Sequence, residues 1–372
     1  MQDIVTRKIY QTTTEWIVKE FGLRLPLIQG PMAGVSNSQS VIAANNAGLL
    51  GALGAGMMTP DDIRTSVREI RKATTRPFNI NLQIIEPVKI DLDQVDPKYT
   101  NWVAEYYDKM AERFNDPSIK FTPPKITDRN FSDQLNTCVE LKPAVLSFTF
   151  GILSKEQIEL CHKSGIKVFG TATNLEEAIA WKEAGADAIC AQGMESGGHR
   201  GSFLSDPLKG SNLSDFLKVL SSAKISSNFP VIACGGIMNG RNLKDALDLG
   251  AAAGQVGTVL LASSESPAPA FYKEALIRAE GGESTVLTKA FSGRYARGLD
   301  TQFGRFGQSQ DVLPYPVQNS LTQPLRKIAA QLGDAESYSL WAGTGVGEVH
   351  KIRSTEEIVE RFEKEFLEAK NV

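Results

Sequence analysis

Of the three histidines in the chain, His199 alone stands in a run whose make-up suggests chemistry, QGMESGGHRG (192–201). An imidazole that titrates near about 6.5 can take or give a proton around neutrality, and a glycine-rich loop leaves it accessible to a small molecule. The plain alternative is a histidine that merely bonds its own loop; the setting favours the catalytic reading. Glu195 either orients the ring or is a solvated carboxylate, and Arg200 reads as a salt-bridge partner. His162 falls inside a helical pattern and His350 near the C-terminal loop, away from such a setting. Glycine recurs at Gly197 and Gly198, at Gly235 and Gly236 in GGIMNG, and at Gly257, followed by Thr258, in QVGTVLL. Any one of these could be a simple turn. Together they let backbone N–H groups converge on an anion, so a phosphorylated cofactor needs no lysine there, and neither of the last two loops contains one.

Asn81, in FNINLQI, and Gln192 end apolar runs that read as strands. A carboxamide both donates and accepts, which suits the alternating edge of a flavin ring, although strand-end amides also serve as loop clamps. Cys190 and Cys234 lie within apolar runs, which speaks against a nucleophilic role, and with Cys138 and Cys161 they form no CxxC and no metal-ligand spacing with histidine. No metal is expected. GxSxG, HExxH and paired-carboxylate arrangements are absent from the sequence.

These groups need a scaffold that delivers them to one face. Short continuous apolar runs, suited to parallel strands covered on both sides, occur at 25–30, 48–54, 78–84, 144–150, 166–172, 188–193, 230–236 and 253–258. Helical patterns alternate with them. Ser36 with Gln39, Ser154 with Gln157 and Thr173 with Glu176 are spaced as capping boxes, and Gly48, Gly165, Gly185 and Gly250 end helical runs just before a strand. Thr59-Pro60 followed by two aspartates opens another helix, and STEEIVERFEKEFLEAK (354–370) reads as the last one. Eight such units with right-handed crossovers close into a (β/α)8 TIM barrel. A doubly wound open sheet is disfavoured because no GxGxxG follows the first strand. In a barrel the chemistry sits at the C-terminal strand ends, where the loops above fall. Two excursions exceed the plain pattern, 86–143 and about 263–344. The expected division is a barrel of 1–262 and 345–372, with a mainly helical lid of 263–344 inserted after the eighth strand.

Composition narrows the class. With 40 Lys+Arg against 43 Asp+Glu the charge nearly cancels, which gives no sign of nucleic acid or an anionic membrane as partner. No apolar run approaches the roughly 20 residues of a membrane span. The first ten residues, MQDIVTRKIY, lack the apolar stretch of a secretory leader, so a cytoplasmic location is expected.

Taken together, LIQGPMAGVS, PFNINLQ, AQGMESGGHRG, VIACGGI, QVGT, SGRYARGL, YPVQN and WAGTGVGEV resemble the nitronate monooxygenase family, formerly 2-nitropropane dioxygenase, from about residue 25 to residue 350. The resemblance is to the class acting on alkyl nitronates and propionate 3-nitronate. It implies a TIM barrel that holds FMN and oxidises nitronates with molecular oxygen to a carbonyl compound and nitrite. His199 matches the family's catalytic histidine. Asn81, Gln192, Gly197, Gly198, Gly235, Gly236, Gln255, Gly257 and Thr258 match FMN-binding motifs, Met32 the loop beside the flavin, and Tyr315 the substrate pocket. Ser196 stands where alanine is common in the family, a mild change. The implied partners are a small nitronate and O2, with a homodimer as one candidate assembly.

Two rivals remain. One is a flavin-dependent enoyl-acyl-carrier-protein or NAD(P)H:quinone reductase on the same barrel; the other is a non-catalytic barrel that binds a phosphorylated ligand. A barrel of the inosine-monophosphate dehydrogenase type is disfavoured, since it needs a nucleophilic cysteine in the loop after the sixth strand, where this chain has His199.

Overall fold

The structure, a computed structural model, describes residues 13–86, 90, 92–124 and 130–371. The stretch read above for a leader lies outside these residues, as do 87–89, 91 and 125–129 within the first excursion.

All eight expected strands form. They are β1 (Leu27–Gln29), β2 (Gly51–Gly54), β3 (Phe78–Gln83), β4 (Val145–Thr149), β5 (Lys167–Ala172), β6 (Ala188–Gln192), β8 (Val231–Cys234) and β9 (Ala253–Val256), parallel in the order β1-β9-β8-β6-β5-β4-β3-β2. A bridge between Ile28 and Leu50 joins the two ends of this order, so the sheet is a TIM barrel. Its floor is packed by helix α1, whose described part spans 13–21. There Ile17 and Phe21 join Ile28, Phe169 and Ile232 in one cluster, with the Phe21 and Phe169 rings edge to face at 6.0 Å.

The outer helices are α2 (Ser38–Asn46), α3 (Pro60–Ala73), α4 (Asn101–Phe114), α5 (Phe131–Leu141), α6 (Lys155–Lys163), α7 (Leu175–Ala184), α8 (Leu213–Ser222) and α9 (Gly240–Asp248). Thr59 with Asp62, and Ser154 with Gln157, make reciprocal capping boxes that satisfy the first N–H groups of α3 and α6. Two expected caps shift by one residue. Asn37 rather than Ser36 caps α2, and Asn174 rather than Thr173 caps α7. Asparagine caps as well as serine or threonine does, and both displaced hydroxyls have other work. Ser36 Oγ accepts the Met32 N–H at 2.7 Å, while Thr173 Oγ1 donates to buried Glu177 at 2.8 Å. Each of the four helix-ending glycines adopts positive φ, from 78° at Gly165 to 101° at Gly185. That conformation turns the chain back toward the sheet without steric cost.

After β9 come α10 (Thr258–Leu261) and α11 (Ala270–Arg278). They are followed by strands β10 (Thr285–Thr288) and β11 (Ala296–Leu299), then α12 (Gln302–Gly307) and α13 (Val317–Leu332). Helix α14 (Thr355–Lys370), capped by Ser354 with Glu357, returns to the barrel. The two excursions share a second core: Trp102, Tyr106 and Tyr107 of α4 pack with Phe291, Phe303, Val317 and Leu321. Among the described residues, no helix is long and apolar enough to cross a membrane.

Candidate active site

Strand β6 ends at Gln192, and its loop carries His199 back across the barrel mouth on a two-residue strand, β7 (Gly198–His199). That strand pairs antiparallel with β11, with Ala296 opposite His199 and Arg297 opposite Gly198. The segment between β9 and α14 therefore grips the loop that bears the histidine. From below, Gln192 Nε2 donates to the His199 carbonyl at 3.0 Å, and its Oε1 accepts the Gly201 N–H at 2.8 Å. Gln192 is thus a loop clamp as well as a cavity-lining amide.

Neither charged neighbour acts as the sequence suggested. Both Glu195 oxygens accept the Leu213 N–H, at 2.9 and 3.0 Å, tying the loop to the start of α8 instead of orienting the imidazole. Arg200 is buried and donates from Nη1 to the Gly193 carbonyl at 2.7 Å; among the described residues it forms no ion pair. A buried loop carbonyl competes for the guanidinium where no carboxylate lies within reach.

The ring's partner is Ser292, which the sequence did not single out, with Oγ 2.9 Å from His199 Nε2. The Ser292 hydroxyl spends its single proton on the Arg294 carbonyl at 3.0 Å. With the hydroxyl proton so placed, Nε2 donates and Nδ1 is the nitrogen able to accept a proton. Burial, followed by the Arg294 and Arg326 guanidiniums, pushes the imidazole down to about 3, so the ring is neutral at ordinary pH. Phe150, Tyr315 and Trp341 surround it with ring centroids 5.5–5.6 Å away.

His199 opens on a cavity with about 1350 Å³ of empty space, its open mouth included. Met32, Asn81, Gln192, Gly197, Gly198, Gly235, Gly236, Gln255, Gly257 and Thr258 all line it. Tyr315 does not; it packs edge-on against His199 and Phe150, and its hydroxyl donates to Gln83 Oε1 at 2.5 Å. Asn81 Nδ2 donates to Ser147 Oγ at 3.0 Å, fixing the amide between β3 and β4. Gln255 bridges the two cavity cysteines: its Oε1 accepts from Cys190 Sγ and its Nε2 donates to Cys234 Sγ, each at 3.4 Å. Burial raises both thiols above their ordinary range, which keeps them protonated and non-nucleophilic.

Gly343 and Gly345 also line the cavity, and the Gly343 N–H bonds Thr258 Oγ1 at 3.0 Å. The WAGTG run thus joins the two glycine loops of the barrel, a meeting that strand-end positions alone could not signal. Eight glycines line the cavity and, among the described residues, no Asp, Glu, Lys or Arg does. A Cβ at Gly257 would meet only Met32 Sδ, at 3.7 Å, and φ there is −121°. Neither backbone conformation nor packing requires glycine at 257. What its small size leaves is space at the start of a helix, next to a hydroxyl and N–H donors, with no carboxylate to repel an anion. Carboxamides and hydroxyls stand at the other strand ends, so this donor set fits a flavin nucleotide.

A family model described as nitronate monooxygenase matches residues 15–365. A probable nitronate monooxygenase of Staphylococcus aureus is 35% identical over 329 residues, which cover 88% of this chain and 90% of the relative. Among solved structures, nitroalkane oxidase from Streptomyces ansochromogenes superposes with a TM-score of 0.84 at 34% identity, covering 95% of this chain and 99% of that one. FabK from Thermotoga maritima superposes with a TM-score of 0.73 at 29% identity, covering 95% and 96%.

Proposed function

Since the chain belongs to the nitronate monooxygenase family, whose members are flavin-dependent oxidoreductases, we propose that it uses FMN and molecular oxygen to oxidise alkyl nitronates, propionate 3-nitronate among them, to a carbonyl compound and nitrite. The observation that carries this reading is His199: a neutral imidazole, fixed by Ser292, facing a cavity whose remaining lining is glycines, amides, hydroxyls, two protonated thiols and apolar side chains, with no charged group among the described residues.

In this reading Gly235, Gly236, Gly257 and Thr258, with Gly343 beside them, would hold the FMN phosphate. Met32, Asn81, Gln192, Gly197, Gly198 and Gln255 would hold its ring system, and Tyr315 would border the substrate. Bound FMN supplies the electron acceptor for the electron-rich carbon of a nitronate and the route onward to oxygen. The residues of the chain supply the rest. His199 Nδ1 takes the α-proton when a neutral nitroalkane enters. For a nitronate, already deprotonated, the ring positions the anion, while Arg294 and Arg326 lend it a favourable potential. The 263–344 segment, joined by α4, covers the mouth of the barrel formed by 1–262 and 345–372 and keeps bulk water from the reacting carbon. The protein is taken as cytoplasmic, and light scattering distinguishes a monomer from a homodimer.

The test is an absorption spectrum of the purified protein, followed by anaerobic addition of propionate 3-nitronate or NADH in separate cuvettes. The expected result is a yellow protein bleached by the nitronate and, on admission of air, releasing nitrite. Rapid bleaching by NADH with none by nitronate would establish a reductase instead. Folded protein that takes up no flavin from excess would leave only a phosphate-ligand barrel.

A further inference from the structure

Phe150 follows β4 with a φ of 76°, in the left-handed region that a bulky side chain seldom occupies. A strained conformation persists only where its surroundings over-determine it, and such positions cluster at ligand clamps. The surroundings here are specific. The Phe150 ring lines the cavity, edge-on to His199 at 5.6 Å and to Tyr315 at 5.4 Å, and the Arg294 guanidinium stands 4.1 Å from its centroid. Behind it, a Cβ at Gly151 would come within 2.8 Å of Ile84, so the turn is packed from the rear as well. Its neighbours on the cavity wall from β4 and β5 are the small side chains Ser147, Thr149 and Thr171.

We infer that Phe150 is the specificity-determining residue for substrate length, a fixed apolar wall beside the imidazole against which the alkyl chain of the substrate ends. The inference rests on the reading of the site given above and adds to it the limit on chain length. Each methylene the wall admits contributes up to about a fourfold gain in kcat/KM, and each one it blocks forfeits that gain. Removing the phenyl group, which leaves the Cβ as a methyl, frees room for about three methylenes. Alanine, leucine and tryptophan all keep a Cβ at the same φ, so these substitutions change the wall without changing the backbone demand.

The test measures kcat/KM for a series of n-alkyl nitronates from two to eight carbons with the flavin-loaded wild type and Phe150→Ala, Phe150→Leu and Phe150→Trp. Calorimetry of the matching n-alkyl carboxylates, planar anions that hold no oxidisable carbanion, gives binding without reaction. Phe150→Ala should move the length at which kcat/KM stops rising upward by about three carbons, Phe150→Leu by less, and Phe150→Trp should move it downward, with parallel shifts in binding. Leucine keeps the test open should the alanine variant fail to fold. Variants whose profiles keep the wild-type shape at uniformly scaled rates would overturn the inference, since Phe150 would then only support His199. If wild type turns over no nitronate yet binding still shifts with length, the wall stands and the proposed reaction falls.

Discussion

Burial and the two guanidiniums that push His199 down to about 3 make the imidazole a source of acid instability. In the unfolded chain an ordinary imidazole titrates near about 6.5, so as the pH falls the unfolded state binds the proton first. Stability is therefore fully present above about 6.5 and declines as the pH drops toward 3, the reverse of a histidine that gains an anionic partner on folding. At a pH of about 5 the loss amounts to about 2 kcal/mol relative to mildly alkaline solution. With an unfolding entropy of about 2 cal/mol/K per residue, that lowers Tm by about 2–3 °C in a chain of this length. His199→Asn removes the titrating group while leaving His162, His350 and the carboxylates in place. Scanning calorimetry of both proteins at a pH of about 8 and about 5, at one scan rate and one excess of flavin, should show wild type losing about 2–3 °C more than the variant. Equal losses would refute the assignment of His199 as a buried neutral base. A larger loss in the variant would mean that the ring is protonated and held by an anion.

Three further expectations concern residues around that ring. Ser292→Ala deprives His199 Nε2 of its acceptor, and loss of one hydrogen bond of about 1 kcal/mol should cut kcat for a neutral nitroalkane about fivefold while a nitronate is affected less, as steady-state rates on the two substrate forms will show. Gly257→Ala should leave the Tm of flavin-free protein unchanged, because its methyl meets only Met32 Sδ, yet weaken flavin binding about tenfold or more; Gly257→Glu should yield colourless protein, and absorbance of the purified variants checks both. Arg326 donates to the Asn319 carbonyl and Oδ1 and forms no ion pair among the described residues, so Arg326→Gln should raise KM for an anionic nitronate about tenfold at low ionic strength and leave a neutral nitroalkane unchanged.

The barrel was legible because its strands and helices follow local rules. Continuous apolar runs such as IKVFGTA become β5 because both faces of a parallel strand are covered, and the polar cap, amphipathic run and glycine marking α6 are satisfied within a dozen residues of one another. The errors were local too. At Ser36-Asn37 and Thr173-Asn174 two competent caps stand side by side, and the choice is made by what the earlier hydroxyl does elsewhere, with Met32 in one case and Glu177 in the other. Spacing along the chain carries no record of those partners.

The same distinction explains the site. Residues on the barrel's own strands and loops could be read from position alone, and those expected there do line one cavity. The groups that tune His199 come from far along the chain and from a second core that the barrel pattern does not describe: Ser292 and Arg294 lie about ninety residues beyond it, and Arg326 sits on α13. Sequence placed Glu195 next to the histidine and left it either orienting the ring or solvated, but a loop that turns within a few residues sends neighbouring side chains in different directions, and Glu195 ends on the N–H of Leu213. The antiparallel pairing of β7 with β11 then decides the matter physically. It brings the 292–297 segment against a two-residue strand that could not hold its own shape, so the bond between His199 and Ser292 depends on β11 being in place. Substitutions that loosen β11 should therefore displace His199 before they disturb the loops at Gly235, Gly236 and Gly257, because those belong to strand ends of the barrel itself.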